Sequence, residues 1–392
     1  MSSSSRRNFL KLSGLSVLPA LVPAGDLFAR ERITSQPVWD EPVVKFFGDG
    51  EMFEPAAYID ILKQVNTNAA IVRDRYGTDG AVAALEKKFE EITGKEKAIF
   101  MPTGTMANQL ALSVLSGENT KVFVQDLSHV YRDEADAAQS VFQKRLMPLA
   151  KEETCFTADE LKRAVESLGE QEVFRSGIGA VCIENPVRRA EGRMVSLEEI
   201  KKISVYCRAN NIRLHLDGAR IYMAAAWSGV SIKEYASYFD TVYVSLYKYL
   251  GAAAGAVLCG DKNVIEKMPH LIKIHGGSMY SNWTNAAMAL HRLEGFEKRL
   301  QNAVAKASEL FTALNKIPGI TVSALNAGTN IYQLQLGKEV DGKKMVTTLR
   351  NTYNIRMPFP DSKNKIMITV NESLLYRDND LLAEGFKKAV AS

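Results

Sequence analysis

Ile212–Arg220 reads IRLHLDGAR and Thr241–Gly255 reads TVYVSLYKYLGAAAG. Each opens as a short apolar run rich in β-branched or aromatic residues, the pattern of a buried strand, and each ends in a turn of glycine and small residues. The first run delivers Asp217 to its turn and the second delivers Lys248. Upstream, GIGAVCIEN (Gly177–Asn185) is another buried-strand run, set between two helices that open on capping boxes, Thr157 with Glu160 and Ser196 with Glu199. Strands alternating with helices in this way predict an α/β fold, a mainly parallel sheet with helices on both faces. In such a sheet the ligand site lies at the C-terminal ends of the strands.

Lysine is seldom buried without a partner, and burial lowers the pKa of an amine toward the range where it attacks carbonyls. Taken alone, Lys248 reads first as a solvated strand-end lysine and Asp217 as a turn aspartate before Gly218. Together they match what a pyridoxal phosphate site requires: an amine to bind the cofactor, and a carboxylate to keep the pyridine nitrogen protonated so that the ring withdraws electrons. A third segment supplies the phosphate end. Lys97–Pro102 (KAIFMP) reads as a strand, Thr103–Thr105 (TGT) as a tight turn and Met106–Leu115 as an apolar-faced helix. The free N–H groups and dipole at such a helix start favour an anion, although a Thr cap opens many helices. A fourth segment, KVFVQDLSHVYRDE (Lys121–Glu134), is a strand whose exit carries His129, placed to lie on a cofactor ring.

These segments resemble the threonine aldolase branch of the β-eliminating lyases, the family of aromatic amino acid β-eliminating lyases and threonine aldolases, pyridoxal phosphate enzymes of fold type I. The resemblance runs through DRYGTDGAVAALE (Asp74–Glu86), GKEKAIFMPTGTMANQLAL (Gly94–Leu112), QDLSHVYRDE (Gln125–Glu134), IENP (Ile183–Pro186), HLDGAR (His215–Arg220) and SLYKYLGAAAGAVLCG (Ser245–Gly260). The most specific are TGTMANQ and HLDGAR, and the segments together cover roughly residues 45 to 300 in the family's order. The resemblance implies pyridoxal 5'-phosphate as cofactor, with Lys248 as its Schiff-base lysine, Asp217 at the pyridine nitrogen and His129 stacked on the ring. It places Gly104 and Thr105 at the phosphate and Arg220 at the cofactor hydroxyl or the substrate carboxylate. Glu134, five residues after His129, would orient the histidine or assist proton transfer; read by itself it is a helix-surface acid. No metal ligand set is expected.

Departures from the family pattern bear on the substrate. Gly48 stands where the family has a serine, Val187 where it has a histidine, and Tyr280 where an arginine is usual. KIMITVNE (Lys365–Glu372) lacks the arginine that in the family clamps the substrate carboxylate. The expected reaction is cleavage of the Cα–Cβ bond of a β-hydroxy amino acid to glycine and an aldehyde. The alternatives are β-elimination, racemisation or transamination on the same cofactor, or a non-catalytic periplasmic binding protein built on this fold.

The N-terminus adds a location. SRRNFLK (Ser5–Lys11) is a twin-arginine export box, followed by the apolar LSGLSVLPALV (Leu12–Val22) and a signal-peptidase site at Val22–Ala24. The expectation is a signal peptide over 1–24, an arm over 25–45, a cofactor-binding large domain over 46–295 and a small α+β C-terminal domain over 296–392. The apolar run is too short for a stable membrane anchor, so a periplasmic or exported enzyme is expected. The formal net charge of +4 gives no reason to expect a nucleic-acid partner. Cys155, Cys182, Cys207 and Cys259 are too scattered to suggest zinc or a disulfide framework. The resemblance implies a homodimer or homotetramer, with DRYGTDG at the interface and Tyr76 either reaching a neighbour's cofactor or packing locally.

Overall fold

In the computed structural model the described residues are 42–392 apart from Phe174, so the expected signal peptide and nearly all of the arm lie outside them. A seven-stranded sheet organises the larger part. Its strands are β2 (Lys97–Met101), β3 (Lys121–Gln125), β4 (Arg145–Leu149), β5 (Ile178–Glu184), β6 (Arg213–Asp217), β7 (Thr241–Ser245) and β8 (Ala256–Gly260), and they lie in the order β2-β8-β7-β6-β5-β3-β4. All neighbours pair in parallel except those of β8, which runs against both β2 and β7. The parallel sheet flanked by helices that the alternating pattern predicts is therefore present, with one reversed strand in it.

Strand alternation distributes the apolar residues to two helix layers. Phe123, Val181, Ile183, Leu214, Leu216, Val242 and Val244 face a core closed by the helices Gly80–Thr93, Leu197–Ala209 and Trp283–Leu293. Val122, Val124, Ala180, Cys182 and Tyr243 face the opposite core, filled by Ala107, Leu110, Ala111 and Leu115 of the helix Gly104–Ser116. Both faces of the central strands are covered, which is why those strands read as unbroken apolar runs.

The C-terminal part has its own core. Strands β9 (Ile320–Ala324), β10 (Ile331–Leu336) and β12 (Lys365–Thr369) form an antiparallel sheet with β10 in the middle. The helices Gly342–Tyr353 and Asn379–Val390 pack on it. A two-residue strand, β1 (Val44–Lys45), pairs in parallel with β11 (Ile355–Arg356), which buries Val44 and Phe46 in this C-terminal core. Two helices, Trp283–Leu293 and Phe296–Leu314, link the two parts and meet at Gly295, whose φ of 63° is a left-handed conformation that glycine adopts without strain. The second helix, Phe296–Leu314, gives Phe296 and Leu300 to the large core and Ala303 onward to the C-terminal core. Glu372 accepts from both Arg292 and Arg299, tying the two helices to the C-terminal part.

Candidate active site

The C-terminal ends of β2, β3, β5, β6 and β7 open on the same side of the sheet, and each contributes a functional side chain or turn. Lys248 lies in the connection from β7 to β8 and is 7% exposed, with its Nζ 5.1 Å from the Tyr247 ring centroid. A cavity of about 280 Å³ is lined by Lys248, Tyr247, His129, Glu134, Tyr243 and the Pro102–Thr105 turn. That turn starts the helix Gly104–Ser116, and the Thr103 hydroxyl accepts from Met106 N at 3.1 Å. The amides of Gly104 and Thr105 have no acceptor within the helix, which leaves them to whatever fills the cavity. Gly104 also has a packing reason to be glycine, because a Cβ there would stand 2.0 Å from the Tyr243 hydroxyl.

Asp217 sits behind the cavity in a buried polar chain. Asn108 donates from Nδ2 to Asp217 Oδ2 at 3.0 Å and to Glu134 Oε1 at 2.9 Å. The same Glu134 oxygen lies 3.0 Å from His129 Nδ1. Ligand atoms of His129, Glu134 and Asp217 all fall within 4.8 Å of one another. The Asn108 carbonyl can only accept, so His215 Nε2, 3.0 Å away, must carry a proton. Burial pushes the His215 pKa down to about 4, which makes the ring neutral, so its Nδ1 accepts from the Thr241 hydroxyl at 2.7 Å. His129 behaves in the opposite way: its hydrogen bond to Glu134 raises its pKa despite the cost of burial.

Glu184 holds the flank. One carboxylate oxygen accepts from His129 N at 2.7 Å and the other from Arg188 N at 2.8 Å. Its pKa is raised, by burial first and then by the charge on Asp217.

Arg220 does not line the Lys248 cavity. It lines a neighbouring one of about 210 Å³ together with Asp49, Arg188, Tyr249 and Asn330. Its Nε and Nη2 both reach Asp49, each at 2.7 Å. Burial opposes the Asp49 charge, but the Arg220 guanidinium outweighs it and holds the acid below its usual range. Asp49 is placed by a close backbone approach: Tyr249 N donates to Asp49 O at 2.7 Å, and a Cβ on Gly50 would stand 2.8 Å from Tyr249 Cα. Gly50, at a φ of 86°, is where the segment after β1 can lie flat against the lysine's turn.

An amine, a carboxylate cluster and a helix start, set around one cavity, are the donor set that pyridoxal 5'-phosphate needs at its aldehyde, its ring nitrogen and its phosphate. The family model for beta-eliminating lyases matches residues 61–336, a span that includes every one of these groups except Asp49. The chain belongs to the beta-eliminating lyase family. It is a fold type I, pyridoxal phosphate-dependent lyase. A low-specificity L-threonine aldolase of Candida albicans is 32% identical over 293 residues, 74% of this chain and 77% of that one. A Cochliobolus carbonum protein named alanine racemase TOXG is 33% identical over 226 residues, 56% of each chain. The crystal structure of a putative L-allo-threonine aldolase from Listeria monocytogenes superposes with a TM-score of 0.73 at 25% identity, covering 89% of this chain and 96% of that one.

The three positions at which the sequence is expected to depart from the family pattern have distinct surroundings. Gly48, with a φ of 81°, lines the Arg220 cavity. Val187 is fully buried in the large core. Tyr280 is 52% exposed and meets Tyr76 edge-on, with ring centroids 5.3 Å apart, and neither ring lines the Lys248 or the Arg220 cavity. Sequence reasoning assigned no role to Asn108, His215, Glu184 or Asp49. Asn108, Glu184 and His215 lie inside the motifs named above, but an Asn in mid-helix, a Glu at a strand end and a His within a strand carry no signal of their own. Their partners are 26 and 109 residues away for Asn108, and 55 for the Glu184–His129 contact.

Proposed function

We propose that this lyase cleaves the Cα–Cβ bond of a β-hydroxy amino acid, giving glycine and an aldehyde. The observation that carries the reading is the His129–Glu134 pair beside Lys248 in one cavity, an acid-base group next to the amine that would hold the cofactor. Bound pyridoxal phosphate supplies an electron sink for the pair released when the Cα–Cβ bond breaks. Lys248 Nζ would hold the cofactor, with Asp217 at its ring nitrogen and the amides of Gly104 and Thr105 at its phosphate. His129, in its neutral form, takes the proton of the substrate β-hydroxyl, and Glu134 steadies the imidazolium that results. Arg220, anchored by Asp49, borders the substrate side.

Racemisation is the second reading, favoured by the similarity to a protein named alanine racemase. Incubating the purified holoenzyme with L-threonine, L-allo-threonine, phenylserine and L-alanine separates the two. Glycine plus an aldehyde supports aldol cleavage; D-alanine without aldehyde overturns it in favour of racemisation.

Export through the twin-arginine route is part of the same proposal and rests on Arg6 and Arg7 in SRRNFLK. Such export carries folded proteins, which suits an enzyme loaded with its cofactor before transport. Replacing both arginines by lysine and finding the protein still exported would overturn it. The domain division at residues 24, 45 and 295, and assembly as a homodimer or homotetramer, belong to the proposal too. Tyr76, exposed within the DRYGTDG segment expected at an interface and packed on the exposed Tyr280, supports assembly, and sedimentation of the holoenzyme as a monomer at micromolar concentration would count against it.

A further inference from the structure

An amino acid substrate brings a carboxylate that must meet positive charge when it leaves water. Two guanidiniums line the cavity beside the lysine's turn: Tyr249, next to Lys248 in the chain, forms part of its wall, and so do Arg188 and Arg220. Arg220 is already neutralised, since two of its nitrogens are engaged by Asp49 at 2.7 Å. Arg188 is not. Its ion pair among the described residues is a 3.5 Å contact with Asp133. Asp133 is taken by Arg189, whose Nε and Nη2 approach its two oxygens at 2.9 and 2.5 Å. The low pKa of Asp133 follows the same order, with the Arg189 hydrogen bond as its largest cause and Arg188 a minor one. Arg189 is therefore the nearer partner of the acid and leaves Arg188, at the cavity, with only the longer contact to it.

The backbone under Arg188 is fixed while its side chain is half exposed. Its N–H donates to Glu184 Oε1, and the other oxygen of that buried carboxylate holds His129 N. One carboxylate thus sets the start of the Arg188 side chain and the position of His129 at the same strand end.

We propose that Arg188 receives the carboxylate of the amino acid substrate, in the cavity that it shares with the Asp49–Arg220 pair. Arg220, held by Asp49, forms the wall, and Asp133 and Arg189 act as a neutral stop that keeps Arg188 available. This inference rests on the amino acid reading of the site but not on which bond the enzyme breaks.

The test uses the holoenzyme, its Arg188→Gln and Arg188→Lys variants, and Arg189→Gln. Two readouts are taken: calorimetric binding of glycine against ethanolamine, which keeps the amine and lacks the carboxylate, and the kinetics of threonine cleavage. Losing one charge-assisted carboxylate contact is expected to weaken glycine binding, and to raise KM, by about 10- to 100-fold with kcat nearly unchanged. Ethanolamine binding stays level, and Arg188→Lys recovers part of the loss. Arg189→Gln releases Asp133 to draw Arg188 away, so it also weakens glycine binding, by less. Glycine binding that is the same in Arg188→Gln as in the parent overturns the proposal. Failure of the aldolase reading looks different: the parent then cleaves no threonine, while glycine binding still depends on Arg188. The visible absorption of the bound cofactor, unchanged in all variants, reports that each is folded and loaded.

Discussion

The two cavities beside Lys248 are built in different ways. The first is assembled from the ends of neighbouring strands of one sheet, and its side chains are joined by buried hydrogen bonds from His129 through Glu134 and Asn108 to Asp217 and His215. The second is gathered from the segment after β1 at Gly48 and Asp49, the turns after β5, β6 and β7, and the C-terminal part at Thr329, Asn330 and Thr369. A wall made by one sheet is rigid and chemically closed. A wall made by separated segments carries charges that differ in exposure and can be changed one at a time, which suits a surface that selects a substrate.

If the contrast holds, removing the amine or the acid-base group of the first cavity should abolish or sharply reduce chemistry, and substitutions in the second should cost stability or affinity. The sharpest case is Lys248→Ala. Activity should fall to background, and the cofactor colour that borohydride erases in the parent should be missing; a variant that keeps both would break the assignment. Next comes His129→Asn, which removes the acid-base group and should lower kcat by about 10²- to 10⁴-fold with the cofactor spectrum retained. A loss of only a few-fold would move the base elsewhere.

On the other side, Asp49→Asn leaves Arg220 largely buried without its counter-charge. With Asp49 itself a third exposed, the expected loss is about 1–3 kcal/mol of stability, read as a fall in Tm. The sign with pH follows from a folded pKa below the ordinary 3.8. The pair's contribution is present above that value and is lost as pH falls through the lower, folded one. The variant should therefore lose its disadvantage in strong acid.

The smallest effect is Glu134→Gln. The parent's His129 pKa is raised above 6.5, mainly by its hydrogen bond to Glu134, so activity that needs the neutral ring rises as pH climbs through that raised value. Taking away the carboxylate should move this rise to lower pH. A pH profile of kcat/KM that does not move would uncouple Glu134 from the base.

The first cavity was largely legible in the sequence, and the second was not. Lys248, Asp217, His129 and the Gly104–Thr105 turn stand at strand ends or just past them, and strand ends announce themselves through short apolar runs and small-residue turns. Glu134 could be placed by its five-residue distance from His129, but its burial and its bond to Asn108 depend on a helix folding back over the sheet. Arg220 was found by motif, yet its partner Asp49 lies 171 residues earlier in a segment where attention fell on Gly48. No local pattern encodes a pairing of that span. It arises because β1 runs into the C-terminal part and lays the following turn across Tyr249.

The reversed strand β8 also has a kinetic meaning. β7 and β8 pair across the connection Leu246–Gly255, and a loop of about ten residues closes in about 10–100 ns. β2 can pair with β8 only after the chain has travelled through β3, β4, β5, β6 and β7, and loop-closure entropy grows with that length. The segment that bears the amine therefore belongs to the most local pairing of the sheet, while the phosphate turn that follows β2 joins it through one of the least local. Partial unfolding that frees β2 from the edge would strip away the anion seat and leave the Lys248 hairpin paired.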